Sequence, residues 1–165
     1  MATTATPPEI ELARDPGFAA LIVASLYRAA SRRQGRLASG DVATFPKLAA
    51  SLRGVRIDPA RVRAYAALCG FDRVPGAVPL PFPESLCLPL LAAIATAEAF
   101  PLSPLGLIHV GQKLAQLRPL RADERLDLRC SVVGAEAGPR GITLRIAMSG
   151  SSAGEPVWSG EAELL

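Results

Sequence analysis

Three side chains in this sequence could carry acid–base chemistry. His109 is the only histidine, so any chemistry that needs an imidazole near neutral pH must use it. Glu84 begins an uncharged apolar stretch, and Asp72 lies shortly after a glycine that ends a predicted helix. Each also has a structural explanation: a histidine on an outer or interface surface of a strand, a carboxylate stabilised by a helix dipole, and a turn aspartate. We take His109, Asp72 and Glu84 as the candidate catalytic residues.

Five further residues are candidates for holding a substrate. Ser85 stands at the start of the apolar stretch, where backbone N–H groups could hold a developing oxyanion, although helix capping also explains a serine there. Gln112 could donate a hydrogen bond to a carbonyl group. Arg118 could bind a phosphate, although turn arginines are usually solvated. Gly106 and Gly111 could allow a ligand or a partner strand to approach closely, and a bulge explains them equally.

The three cysteines do not predict a metal site or a structural disulfide. Cys69, Cys87 and Cys130 are odd in number and lack CxxC or Cys/His ligand spacing. No nearby base would activate Cys69 or Cys87 as a nucleophile, so both are interpreted as small core residues. We expect no metal, no cofactor and a reducing compartment.

Length and composition predict one globular domain. The chain has 165 residues, of which 50% are hydrophobic, and this is enough for a sizeable core. The net charge of +3 is modest and the basic residues are scattered, which disfavours nucleic acid as a partner. No secretory signal is visible, and the apolar stretch after Glu84 is too short to cross a bilayer. We expect a cytoplasmic protein with no membrane contact.

The segment that begins at Glu84 is predicted to be a central helix. No residue between Glu84 and Glu98 is charged, and apolar side chains fall on every side of a 3.6-residue wheel. Such a helix is too short to cross a bilayer, so its cover must come from protein. Pro89 leaves its start open: the helix begins either near residues 86–88 or at Glu84 with a bend at Pro89.

Alternating segments around this helix predict its cover. Residues 125–132 alternate strictly between apolar and polar side chains, which is typical of a half-buried strand. Short connections favour antiparallel pairing and a sheet with one buried face. In the segment before it, alternation places His109 opposite Ile108 and Val110, away from the core. The further extended segments are 48–57, 107–117, 142–148 and 158–164.

The N-terminal part is predicted to form a tail and an extra helix. We assign residues 1–15 to a flexible tail, 16–40 to an N-terminal helix with a linker, and 41–165 to a single domain. Within that domain, a short helix starts at Asp58 and ends at Gly70.

These elements predict an α+β domain with the hot-dog architecture. A curved antiparallel sheet of about five strands would wrap around one central apolar helix. A lone curled sheet leaves an edge strand open, so we expect a dimer in which two sheets join edge to edge.

The region from Val62 to Leu128 resembles the hot-dog half-domains of the MaoC-like acyl dehydratase group. The resemblance is carried by the segments YAALCGF, VPLPFPESLCLPLLAAI, FPLSPLGLIHVGQKLAQLRPL and RADERLDL. It implies a protein that handles acyl thioesters of coenzyme A or acyl carrier protein, with two hot-dog units packed side by side.

The sequence departs from this group at the catalytic motif. Active members are similar in carrying Gly-Asp-x-Asn-Pro and a nearby histidine after the first short helix. Here Gly70 is followed by Phe71 and Asp72, and no histidine occurs before His109. The N-terminal half of two-domain members commonly lacks this motif and houses the acyl chain, and this chain is more similar to that half.

The leading functional prediction is an acyl-thioester-binding protein related to (R)-3-hydroxyacyl dehydratases and enoyl hydratases. It would be a partner-dependent or non-catalytic subunit, or a homodimer with His109 in a rearranged site. One alternative is a hot-dog thioesterase that uses Glu84 as its base. The other is a non-enzymatic acyl-binding or assembly module.

Overall fold

The computed structural model describes residues 9–17, 20, 23, 26–27, 41–71 and 77–165. Most of the predicted N-terminal helix lies outside the described residues. The candidate catalytic residue Asp72 also lies outside them.

The core of the fold is one six-stranded sheet. The strand order across the sheet is β1-β2-β4-β5-β6-β3, and every pair is antiparallel except β1 with β2, which is parallel. The predicted strands are therefore confirmed, with one more strand than expected. Their bounds are β1 Glu9–Leu12, β2 Ala49–Arg56, β3 His109–Gln116, β4 Arg125–Gly138, β5 Gly141–Ser152 and β6 Glu155–Leu164.

The additional strand, β1, lies within the segment that the sequence assigned to a flexible tail. It pairs with β2, and Ile10 and Leu12 pack against the core. Its alternate residues form ion pairs: Glu9 with Arg129 at 3.2 Å, and Glu11 with a second arginine. A short charged strand of this kind protects the edge of a sheet. The tail prediction is therefore wrong for Glu9–Leu12.

Helix α1 (Pro59–Cys69) has the caps that its sequence predicted. The Asp58 carboxylate accepts a hydrogen bond from Ala60 N at 2.8 Å, and proline occupies the first turn. Gly70 ends the helix with a left-handed φ of 71°, which glycine adopts without a Cβ clash. This turn brings Phe71 back towards the helix, because Phe71 N donates to Ala66 O at 3.0 Å.

Helix α2 (Phe82–Thr96) is the predicted central helix, but it begins before Glu84 and continues through Pro89. One face packs on the sheet and includes Leu86, Leu90 and Ile94, which are almost completely buried. The remaining side chains of the helix are partly buried, except that of Leu88, which is 46% exposed. The prediction of a central apolar helix packed within the curved sheet is therefore confirmed, with Leu88 as its exposed side chain.

The sheet presents one apolar face to α2, with side chains aligned in rows across the strands. One row joins Cys130, Met148, Gly160 and Leu114 on β4, β5, β6 and β3. A Cβ at Gly160 would lie 3.0 Å from both Leu114 Cδ2 and Trp158 Cη2, so this position leaves room for the tryptophan ring. The largest fully buried side chains are Trp158, Phe82 and Phe100.

Among the described helices, none combines the length and hydropathy that a membrane span requires.

Candidate functional site

A β-bulge at the start of β3 decides which way His109 faces. His109 pairs with Leu164 and Gln112 pairs with Ala162, so Val110 and Gly111 oppose one residue of β6. Cross-strand partners share a face, and Ala162 is buried in the core. The bulge therefore places His109 on the same face as the core, whereas alternation predicted the opposite face.

The same bulge fixes the tautomer of the imidazole ring. His109 Nε2 lies 2.9 Å from Gly111 O. A carbonyl oxygen can only accept a hydrogen bond, so Nε2 must carry the hydrogen in this contact. When the ring is neutral, Nδ1 is then the nitrogen with a free lone pair, and it is the atom that can accept a proton.

Glu84 is a carboxyl group close enough to His109 for the two to interact electrostatically. It lies in the first turn of α2 and is partly buried. Burial raises the pKa of Glu84 above its ordinary value, and the positive charge that His109 can carry partly opposes this rise. Glu84 and His109 are therefore electrostatic neighbours, although among the described residues no hydrogen bond or ion pair joins them.

An aromatic cluster supports this pair, and sequence reasoning missed it. Tyr65 stacks on Phe71 with ring centroids 6.1 Å apart, and Phe82 packs edge-on against it at 5.4 Å. Burial raises the pKa of Tyr65, and the neighbouring Cys69 thiol and Glu84 carboxyl raise it further. Cys69 is exposed, so the prediction that it is a core residue is wrong. Cys69 follows Tyr65 by four residues on the same helix, and this spacing could have indicated that the two side chains are neighbours.

Two backbone N–H groups at the start of α2 are already engaged. Phe82 N donates to Pro79 O and Glu84 N donates to Pro81 O, while Pro83 has no N–H group. The Ser85 hydroxyl donates to Phe82 O at 2.7 Å within the helix. Ser85 therefore neither caps the helix nor presents its hydroxyl hydrogen to a ligand.

The two candidate glycines differ in the space around them. Gly106 ends the 3-10 turn Pro104–Gly106, and a Cβ added there would meet no atom within 4 Å. At Gly111, an added Cβ would lie 2.9 Å from Glu163 Oε2, on the opposite face from His109. Gln112 is exposed and shares the face of His109, so its amide can reach a ligand there.

Arg118 is engaged in a structural ion pair. Its guanidinium donates to both carboxylate oxygens of Glu124, at 3.1 and 2.9 Å. Arg121 N and Ser152 Oγ donate to the same carboxylate, at 2.7 and 3.2 Å. These contacts tie the β3–β4 connection to the end of β5. The prediction that Arg118 binds substrate phosphate has no support from this geometry.

Exposed apolar side chains lie next to His109 and Glu84 along the chain. Ile108 and Val110 flank His109 and are 62% and 49% exposed, and Leu88 lies one turn after Glu84. Strand β3 pairs with β6 alone among the described strands, so its other edge is open. The site therefore faces solvent along an apolar, unpaired sheet edge.

The described residues include no cluster of histidine, cysteine and acidic side chains that could hold a metal ion. Cys87 and Cys130 are buried free thiols that share a hydrogen bond between α2 and β4. That bond and burial raise the pKa of Cys130.

Comparison with known proteins identifies the class to which this fold belongs. A search of protein-family profiles finds no match. A hot-dog-like protein from Thermanaerovibrio acidaminovorans superposes with a TM-score of 0.50 at 15% identity, covering 76% of this chain and 86% of that one. The chain is an α+β hot-dog protein, as its sequence predicted.

More particularly, its relatives include acyl dehydratases. It is 28% identical over 114 residues to 3-hydroxyacyl-thioester dehydratase X of Mycobacterium tuberculosis, covering 69% of this chain and 40% of the relative. The crystal structure of HtdX from that organism has a TM-score of 0.66 at 27% identity, covering 71% of this chain and 50% of HtdX. The HadBC (3R-hydroxyacyl-ACP dehydratase) complex from the same organism superposes with a TM-score of 0.58 at 15% identity. The superposition covers 69% of this chain and 93% of that one. The resemblance to the MaoC-like dehydratases is confirmed, and the chain spans only part of its curated relative.

Proposed function

We propose that this chain is an acyl-thioester-binding hot-dog unit that takes part in the dehydration of 3-hydroxyacyl thioesters and the reverse hydration. The observation that carries the proposal is the electrostatic proximity of Glu84, in the first turn of the central helix, to His109 at the start of β3. The similarity to 3-hydroxyacyl-thioester dehydratase X supports the substrate class.

The two groups have the chemistry that this reaction needs. In dehydration, His109 Nδ1 takes the proton from carbon 2 of the substrate while the bond between carbon 3 and oxygen breaks. The protonated Glu84 carboxyl gives its proton to the departing hydroxyl group, water leaves, and the double bond forms between carbons 2 and 3. The proton on the imidazole then returns to the carboxylate. Hydration follows the same steps in reverse.

We further propose that a second hot-dog unit completes the site. His109 lies on the open edge strand β3, and the apolar side chains of Ile108 and Val110 beside it are exposed, which a soluble monomer rarely leaves uncovered. A second copy of this chain or a different hot-dog subunit would exclude water from the acyl thioester. Coenzyme A and acyl carrier protein are both candidate carriers, and free buried thiols are consistent with a cytoplasmic location.

The direct test follows the absorbance of crotonyl coenzyme A mixed with the purified chain. We expect loss of enoyl absorbance, and a loss of activity of at least about a hundredfold in His109→Ala and Glu84→Gln. Lys113→Ala on the outer face of β3 and Glu98→Gln beyond the end of α2 serve as matched controls and should keep full activity. Equal activity in His109→Ala and the native chain would refute the catalytic pair.

A subunit that needs a partner gives a different result. The chain alone would bind crotonyl coenzyme A without turnover, and turnover would appear when a hot-dog partner carrying the Gly-Asp-x-Asn-Pro and histidine motif is added. In that case His109→Ala should change binding and not the chemistry of the partner. Absence of both binding and turnover in the chain and the mixture would refute the proposal.

Thioester hydrolysis is the second candidate function, because a partly buried carboxyl group at this helix start could direct a water molecule to the thioester carbonyl. Water would attack the carbonyl carbon, the carbon–sulfur bond would break, and free acid and thiol would form. Release of thiol that depends on Glu84 and not on His109 would favour hydrolysis. Binding without either reaction would favour a non-enzymatic acyl-binding module.

A further inference from the structure

Two arginines face each other across strands β2 and β4. Arg56 on β2 is the cross-strand partner of Arg125 on β4, and both residues are exposed. In the next pair along the strands, Ile57 N donates to Glu124 O at 2.9 Å. The arginine pair is therefore a non-hydrogen-bonded pair, in which the two side chains approach most closely. Like charges directly opposite each other destabilise a sheet, so a ligand of opposite charge would relieve this arrangement.

The backbone of a β-bulge in β2 holds the guanidinium group of Arg125. Gly54 occupies this bulge with a left-handed φ of 64°. Its carbonyl oxygen accepts a hydrogen bond from Arg125 Nη1 at 2.8 Å, and its amide donates to the Asp127 carboxylate at 2.8 Å. A guanidinium group carries five N–H hydrogens in a planar fork, so Arg125 can bind a further acceptor while this contact orients it.

Three acidic side chains of β1 and β4 that could neutralise the arginines have other partners. Glu9 pairs with Arg129 at 3.2 Å and Glu11 pairs with Arg53 at 3.4 Å. The Asp127 carboxylate accepts the hydrogen bond from the bulge. Within the described ranges, no carboxylate lies at ion-pair distance from either arginine of the facing pair. The two positive charges are therefore left without an acidic partner on this part of the sheet.

We propose that Arg56 and Arg125 bind a phosphate group between their guanidinium groups. A phosphate offers several acceptor oxygens and a negative charge, and arginine forks match this geometry with paired hydrogen bonds. The bound anion turns the repulsion between the arginines into two charge-assisted contacts. This site goes beyond the proposed function, because it needs no acyl group and no reaction at His109. The phosphate group is either free phosphate or the 3′-phosphate of coenzyme A.

The first test measures binding of inorganic phosphate by isothermal titration calorimetry in a phosphate-free buffer of constant ionic strength. We expect the native chain to bind in the millimolar range, and Arg56→Gln to bind at least about tenfold more weakly because one charge-assisted contact is lost. Arg125→Gln should weaken binding similarly. Arg53→Gln removes an exposed arginine of the same strand that is paired with Glu11, so this matched control should bind phosphate like the native chain.

A comparison of two ligands separates the sources of the phosphate group. Coenzyme A carries a 3′-phosphate that dephospho-coenzyme A lacks. If the carrier supplies the phosphate, the native chain should prefer coenzyme A, and Arg56→Gln should lose this preference. If both ligands bind the native chain equally while inorganic phosphate still binds through Arg56, free phosphate is the source. Either result supports the site.

Thermal unfolding gives a readout that does not depend on calorimetry. Without phosphate, Arg56→Gln should have a higher midpoint temperature than the native chain, because the substitution removes the repulsion from Arg125. Added phosphate should raise the midpoint temperature of the native chain, since a ligand that binds the folded state stabilises it. The midpoint temperature of Arg56→Gln should rise much less.

Three results would overturn the inference. Equal phosphate affinity in the native chain and Arg56→Gln would exclude the site. Equal weakening in Arg53→Gln and Arg56→Gln would indicate general attraction of anions to a basic surface. A native chain that neither binds phosphate nor prefers coenzyme A to its dephospho form would also refute the site. None of these measurements follows turnover or acyl binding, so a failure here leaves the proposed function to its own assays.

Discussion

The interaction network around Glu124 makes a testable prediction about stability in acid. Its carboxylate accepts four hydrogen bonds, from both guanidinium nitrogens of Arg118, from Arg121 N and from Ser152 Oγ. The hydrogen bond from Arg118 is the main reason that the pKa of Glu124 falls from 4.5 to about 2. The charged form is therefore bound more tightly in the folded chain than in the unfolded one.

The lowered pKa sets an upper limit on how much Glu124 contributes to the free energy of unfolding. A carboxyl group with a pKa of about 2 in place of 4.5 stabilises the folded state by at most about 3 kcal/mol at neutral pH. Water screens this pair, since the Arg118 side chain is 41% exposed, and exposed ion pairs contribute less than about 1 kcal/mol. We expect about 1–2 kcal/mol, because the additional backbone and serine hydrogen bonds hold the carboxylate in place.

The direction of the pH dependence follows from the lowered pKa. The contribution is complete above the unfolded pKa of 4.5 and is lost as the pH falls from there towards about 2. In urea unfolding, Glu124→Gln should be less stable than the native chain by about 1–2 kcal/mol at pH 7, and the difference should shrink steadily below pH 4.5. Glu161→Gln, which removes a single exposed contact to Lys113 at 3.5 Å, is the matched control. A difference for Glu124→Gln that does not change with pH would refute the reasoning.

Three further predictions concern packing, the buried carboxyl group and the sheet edge. Gly160→Ala should lower the free energy of unfolding in a urea titration by about 1–3 kcal/mol, because the added Cβ would lie 3.0 Å from two side chains. Gly106→Ala, where the added Cβ meets no atom within 4 Å, should change the free energy of unfolding little. Equal effects of the two substitutions would contradict the packing argument. Glu84→Gln should raise the midpoint temperature of thermal unfolding at pH 7 and not at pH 4. The pKa of Glu84 is raised in the folded chain, so its ionisation lowers the free energy of unfolding as the pH increases, and glutamine does not ionise. A lower midpoint temperature for Glu84→Gln at pH 7 would contradict this. Glu9→Lys should replace the ion pair with Arg129 by a repulsion that loosens β1. Because β1 pairs with β2, amide hydrogen exchange should accelerate in β2 and not in β5. Unchanged exchange in β2 would show that other contacts hold β1.

The similarity to one part of a longer dehydratase gives the site its context. The chain spans 40% of 3-hydroxyacyl-thioester dehydratase X and half of the HtdX structure. The open edge of β3 and the exposed apolar side chains beside it lie next to the proposed catalytic pair. The activity assay and the oligomeric state should therefore be measured on the same sample, because the second unit and the chemistry are expected to be linked.

The candidate site shows where sequence reasoning reaches its limit. Alternation predicted β3 correctly, yet it placed His109 on the wrong face, because one bulged residue shifts the register by one and reverses the orientation of the side chain. The sequence predicted Arg118 as a phosphate ligand, but its guanidinium pairs with Glu124, which lies six residues later in a turn. Tyr65 was not considered as a site residue, since nothing local connects α1 with the start of α2.

Local patterns by themselves determined the secondary structure and the class of fold. The caps of α1, the alternation of β4 and β5, and the apolar segment of α2 depend on neighbours in sequence, so their physical causes are visible in the sequence. Only the tertiary structure decided that Glu84 comes within electrostatic reach of His109 and Tyr65, and that β1 joins the sheet edge in parallel. It also decided that Leu88 of α2 stays exposed among the described residues. These features depend on contacts between residues that are distant in sequence, and such contacts follow from how the helices pack on the sheet.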